Sequence, residues 1–198
     1  MAGVALICSS DTYSIMMACW GVVAGTILVS DWLLMNGGED GSHQMLTILS
    51  VAFAISLALG FADWLPQAGL YFIGLQACLA YGTSGVAKLI SPMWRSGEAI
   101  PAILLTRTYG PGSSVGLLQK YPAVAIGSCW MTIAFESAFL FAPLMPQLIL
   151  ISLFATAAIF HIVCAGAMGL NGFFWSFCAT YPAILFLNHS VASGVHLY

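Results

Sequence analysis

Apolar residues in this chain come in blocks of about twenty, the length that carries an α-helix across the hydrocarbon core of a bilayer. Six blocks stand out, at 13–35, 44–65, 68–92, 122–142, 147–168 and 172–192. Lipid offers no water to satisfy backbone N–H and C=O groups, so each block is predicted to be a helix. Four of the connections are short (36–43, 66–67, 143–146 and 169–171), which predicts antiparallel neighbours in one bundle. The predicted fold is an all-α integral membrane protein, with about six transmembrane helices in a single domain over 1–198.

The pattern breaks at 93–121. Three of the four basic residues (Arg95, Arg107 and Lys120) flank a short apolar patch, Ala99–Leu105, and a breaker cluster at 109–114. The patch is too short to span, so this segment is predicted to lie at the interface or to re-enter the bundle between helices three and four. Basic residues collect on cytoplasmic sides, which places this segment in the cytoplasm and both termini outside.

Composition agrees with the pattern. Hydrophobic residues make up 61% of the chain and charged ones 6%, against about 25% charged in soluble domains. Mean hydropathy is +0.98. A net charge of −3, from four Lys or Arg against seven Asp or Glu, leaves no basic surface for a phosphate backbone, so nucleic acid is excluded as a partner. The six cysteines lack the close pairing of a zinc or redox motif and read as small buried hydrophobes. The first twelve residues carry no basic n-region, so the first apolar block is expected to be retained.

Ionisable residues inside such blocks are costly and mark candidate sites. Depth follows from the ~1.5 Å rise per residue, taking the side of the 93–121 segment as the front. Lys88, four residues before Pro92, lies roughly 6 Å below the front, Asp31 roughly 6 Å and His161 roughly 10 Å. The three are expected in one layer, with Asn171, Trp175, Ser176, Thr180 and Tyr181 completing it and Pro182 kinking the sixth helix. Glu136 comes fourteen residues after the start of the fourth helix, at roughly 20 Å, and is expected in the far half as a structural polar group, protonated or paired across helices.

Each residue also has a plainer reading. Lys88 snorkels to the headgroups, Asp31 beside Trp32 anchors the interface, and His161 is an interhelical hydrogen-bond contact. The third-helix glycines (Gly69, Gly74, Gly82, Gly85) allow close helix packing. The four histidines are isolated, with no carboxylates at ligand spacing, so neither a metal nor a haem is expected.

The stretch Tyr81–Ala99, with Gly85-Val-Ala-Lys88-Leu89 followed by Trp94-Arg-Ser-Gly97, resembles the signature of the HTTM membrane-domain family, which includes vitamin K-dependent gamma-carboxylase and the membrane protein that matures the sporulation-delaying toxin. Asn36-Gly-Gly-Glu-Asp40, Glu136, Phe160-His161, Gly169-Leu-Asn-Gly-Phe-Phe-Trp175 and Ala179-Thr-Tyr-Pro182 follow the family order. DoxX-type proteins share the Gly-x-x-Lys-Leu piece, but the Trp-Arg-Ser-Gly continuation and the helix number favour HTTM.

The resemblance implies an intramembrane enzyme or enzyme subunit. Lys88 would be the base acting on a quinol-like or other lipid-soluble substrate, and His161 would orient it or carry its proton. Asp31, Trp94, Arg95, Asn171, Trp175 and Tyr181 are the candidate substrate-binding residues, and a quinone is the implied cofactor. Set against longer members of the family, the chain is expected to be without their preceding helices and following soluble domain, so glutamate carboxylation by this chain alone is not expected. Those missing helices motivate the alternative, a non-catalytic transmembrane subunit that packs with a membrane-protein partner.

Overall fold

In the computed structural model, the structure describes residues 25, 41–58, 65–108 and 115–194, and these are helical with short turns. Apart from Gly25, the predicted helix at 13–35 with Asp31, and the 36–40 and 109–114 segments, lie outside the described residues. Contacts divide the chain into two compact units, Met1–Ile73 and Gly74–Tyr198.

The first unit holds α1 (Gly41–Ala58) and the opening turns of α2 (Leu65–Ile90). These approach closely at Gly69, where an added Cβ would run into the Ser56 hydroxyl. An apolar groove of about 480 Å³ runs along them, lined by Ile48, Val51, Ile55, Ala68 and Phe72.

The second unit holds the rest of α2 and seven further α-helices among the described residues. Three are short: α3 (Pro92–Ser96), α4 (Ala99–Leu104) and α5 (Val115–Lys120). Pro92 opens α3, where its missing N–H costs nothing. Gly97 closes it at φ +85°, its N–H returning to the Met93 and Trp94 carbonyls. That glycine also lies hard against α6, since a Cβ there would be 2.5 Å from Ile126 Cγ1. The predicted interfacial segment is thus a run of short helices packed on the first half of α6 (Pro122–Ala138).

A 3-10 turn, Phe139–Leu144, extends α6. It is followed by α7 (Gln147–Met168), which carries no charged residue and ends on Gly169 in the left-handed conformation. The predicted sixth helix comes as two pieces, α8 (Asn171–Cys178) and α9 (Tyr181–Ala192). Pro182 does more than kink a continuous helix. It sits in the first turn of α9, while the Thr180 hydroxyl donates to the Phe177 carbonyl at 2.7 Å across the break. Asn188 Nδ2 ties α9 to the 3-10 turn by donating to the carbonyls of Ala142, Pro143 and Met145 at 3.0, 3.2 and 2.8 Å.

Three helices among the described residues are long and apolar enough to cross a membrane: Gln67–Ile90, Pro122–Leu144 and Gln147–Met168. Their outer faces carry large aliphatic side chains, including Leu148 (77% exposed) and Val163 (60%). Soluble proteins rarely expose so continuous an apolar surface, whereas lipid accepts it. A membrane location fits this architecture. Of the described cysteines, Cys78, Cys129 and Cys164 are buried free thiols.

Candidate functional site

Within the second unit, α2 and α6 run antiparallel in tight contact. The register can be read residue by residue: Tyr81 stacks on Phe139 at 3.9 Å, Gly82 faces Leu140 and Gly85 faces Ser137. At Gly85 a Cβ would come within 2.6 Å of Ser137 Oγ and 2.9 Å of the Glu136 carbonyl carbon. Only glycine permits this approach, and it is the approach that brings the next turn of α2 to Glu136.

There the Lys88 ammonium donates to Glu136 Oε2 at 2.6 Å and to Ser84 Oγ at 2.5 Å. Its third neighbour is the Trp94 ring, with the nitrogen 5.1 Å from the centroid. Side-chain exposure is 18% for Lys88 and 8% for Glu136, so the pair is sheltered but still reachable at the lysine. Cys164 of α7 lies within electrostatic range of both charges.

This pairing overturns the expected depth of Glu136. Taking Pro92 and Pro122 as lying at one common front level put the two residues in opposite halves. Instead α6 starts well beyond the end of α2, by roughly 15 Å on the helical rise, and α3, α4 and α5 flank the projecting part. Lys88 and Glu136 therefore meet at one level. Glu136 is paired across helices, with Lys88 as its partner.

His161 is also placed differently from expectation. Its Nε2 lies 2.8 Å from the Tyr81 hydroxyl, seven residues before Lys88 on α2 and so roughly 10 Å along the helix. Aromatic rings enclose it: Phe177 at 5.2 Å, Phe160 at 5.4 Å and Phe173 at 6.2 Å between centroids. Lys88 and His161 thus form two stations on α2, each with a partner of its own, rather than one layer.

Of the predicted substrate-binding residues, the structure brings Trp94 to Lys88 and Tyr181 to the second station. Tyr181 is half-buried, stacked on Phe154 at 4.5 Å, with its hydroxyl buried beside Tyr81. Arg95 is exposed, and its backbone carbonyl accepts from Trp130 Nε1 at 3.3 Å. Asn171 and Trp175 are exposed on α8, Trp175 by 72%, and neither joins the two stations. Two participants were missed, Ser84 and Tyr81. Both were legible as polar residues on the Lys88 face, one and two turns before it.

Chemically, the first station holds an acid and a base in direct contact, and the second a phenol and an imidazole. No family model matches the chain, and neither the curated proteins nor the solved structures contain a match.

Proposed function

We propose that the chain is an intramembrane acid–base catalyst, or the membrane subunit of one, in which Lys88 and Glu136 exchange a proton with a lipid-soluble, quinol-like substrate. The observation that carries the reading is the Lys88–Glu136 contact. Burying two charges costs several kcal/mol each, and attraction returns that only with good geometry, so packing alone has little use for such a pair. Ionisable groups kept at this depth are functional by default.

The chemistry needs one internal transfer. Passing a proton from the ammonium to the carboxylate leaves a neutral amine beside a carboxylic acid, with no change in net charge. The amine then takes a substrate hydroxyl proton while Glu136 holds the first one. The residual exposure at Lys88 gives a substrate access, and Trp94 offers it a flat apolar wall. In the same reading the chain is a multi-pass protein of about six crossings, the last made by α8 and α9 together.

The test is oxidation of a reduced naphthoquinone by purified protein in lipid nanodiscs, with dissolved dioxygen supplied as the electron acceptor and the rate without protein subtracted, followed by absorbance. Lys88→Met keeps the stem and removes the amine, and it is expected to abolish turnover when compared with the parent at equal amounts of folded protein. Unchanged turnover would eliminate the base role.

A second reading is favoured by one feature: Ser84, Glu136 and Trp94 surround the ammonium on three sides, as in a closed structural tie. On that reading the chain is a non-catalytic subunit of a larger membrane complex, and it should co-purify with a partner at fixed stoichiometry in mild detergent.

A further inference from the structure

We propose that the cavity between the start of α7 and α9 is a binding site for a lipid-soluble alcohol or phenol, whose hydroxyl is held by the Asn188 side-chain carbonyl. The site is separate from the two stations on α2 and stands independently of the acid–base reading.

The cavity measures about 530 Å³, with an apolar wall of Met145, Leu185 and Phe186 and with Gln147, Asn188 and His189 as its polar side chains. Pockets of roughly 300–1,000 Å³ hold drug-sized ligands, whereas a water molecule occupies only about 30 Å³ of liquid. The space therefore suits an organic occupant better than a single bridging water. Its level follows from Gly74 of α2, where an added Cβ would meet Ala183 and Leu187 of α9. Gly74 and Lys88 lie roughly 20 Å apart along α2. Asn188, next to Leu187, is thus far from the Lys88–Glu136 contact.

Asn188 supplies the fixed polar group, and the residue is only 6% exposed. Its Nδ2 gives all three of its hydrogen bonds, to the carbonyls of Ala142, Pro143 and Met145. Every partner is an acceptor, so the amide has one permitted orientation and Oδ1 is turned away from them. Oδ1 receives no hydrogen bond from the protein, yet it is not among the sealed, unpartnered atoms, and the cavity is the space its residue lines. Donation through Nδ2 polarises the amide and strengthens Oδ1 as an acceptor.

Donors border the same space. The α7 helix begins at Gln147 behind Pro146 with no side-chain cap, so its first backbone N–H groups have no helical partner. Pro146 and Gln147 both line the cavity. An anion is disfavoured by Oδ1 and a cation by the positive end of the helix. A neutral hydroxyl suits both, donating to Oδ1 while accepting from the N–H side, and the apolar wall takes the body that carries it.

The experiment is equilibrium dialysis of radiolabelled 1-naphthol against the full chain in lipid nanodiscs, with empty nanodiscs of the same lipid subtracted. Saturable binding of one molecule per chain is expected. 1-Methoxynaphthalene has the same ring system and no O–H to donate, and it should bind at least tenfold more weakly. Ala192→Phe, at the exposed rim of the cavity, should remove the saturable binding and leave quinol oxidation unchanged, while Ala192→Ser keeps both. Binding should also persist in Lys88→Met. No saturable binding above empty nanodiscs overturns the site, and equal affinity for the two naphthalenes overturns the role of Oδ1. Binding lost in Lys88→Met and kept in Ala192→Phe would put the naphthol at the Lys88 station, which sinks this proposal and leaves the acid–base reading standing.

Discussion

The Lys88 ammonium and the Glu136 carboxylate meet at 2.6 Å although both sit in the closing turns of helices that run in opposite directions. Two antiparallel helices starting and ending at common levels would hold such residues far apart. The offset between α2 and α6 removes that separation, and the short helices α3 to α5 fill the space it creates beside α6.

Breaking the pair from either side leaves a sheltered charge alone. Lys88→Met or Glu136→Leu is expected to cost about 3–5 kcal/mol, and the double variant Lys88→Met/Glu136→Leu much less than the sum. Denaturant unfolding of the three purified variants in mixed micelles checks this. Additive losses would mean that the two side chains do not interact.

Gly85→Ala should push α6 away from α2, because its Cβ falls on Ser137 and the Glu136 backbone. The expected loss is about 1–3 kcal/mol, as for other overpacked contacts. Gly127→Ala on the same α6, where an added Cβ meets nothing within 4 Å, is the matched control and should be close to neutral. Thermal inactivation of the two in parallel separates close approach from a general loss of glycine.

Tyr81→Phe keeps the stack on Phe139 and deletes only the hydroxyl. It leaves a buried imidazole nitrogen without its partner, at a cost of about 1–3 kcal/mol. The companion variant His161→Phe orphans the Tyr81 hydroxyl in its turn, so the double variant Tyr81→Phe/His161→Phe should cost less than the sum of the two single losses. Additive losses, measured by unfolding, would mean that the Tyr81–His161 bond contributes nothing.

Asn188→Leu should loosen the end of the 3-10 turn, since one amide group serves three carbonyls there. Limited proteolysis is expected to begin near Pro143–Pro146 in this variant and not in the parent. Asn188→Gln, one methylene longer, should restore little of the protection because the three acceptors are spaced for the shorter side chain.

Much of the helical layout was legible from apolar block length. Gln147–Met168 matches its block at both ends, and Pro122 marks a start that proline chemistry favours. Legibility failed where tertiary packing overrode the local signal. Pro92 follows the end of α2 and Pro122 opens α6, but the two do not share a level, so the depth counted from Pro122 misplaced Glu136 relative to Lys88. Pro182 gave a true local signal whose strength was underestimated, and a predicted kink became a break. For the site, Lys88, Trp94 and His161 were singled out, but the Lys88 partner was assigned to the wrong half. Tyr81 carries no signal of its own in the sequence beyond its place on the Lys88 face, because a tyrosine in an apolar helix reads as packing until the partner of its hydroxyl is known.

The indole of Trp94 lies close enough to the Lys88 nitrogen for its emission to respond to the charge held there. Removing a proton from that amine alters the field across the ring, with no added dye or label. A variant that keeps Trp94 as the sole tryptophan therefore carries a built-in optical gauge of the state of the lysine, readable in an intact bilayer and before any substrate has been found.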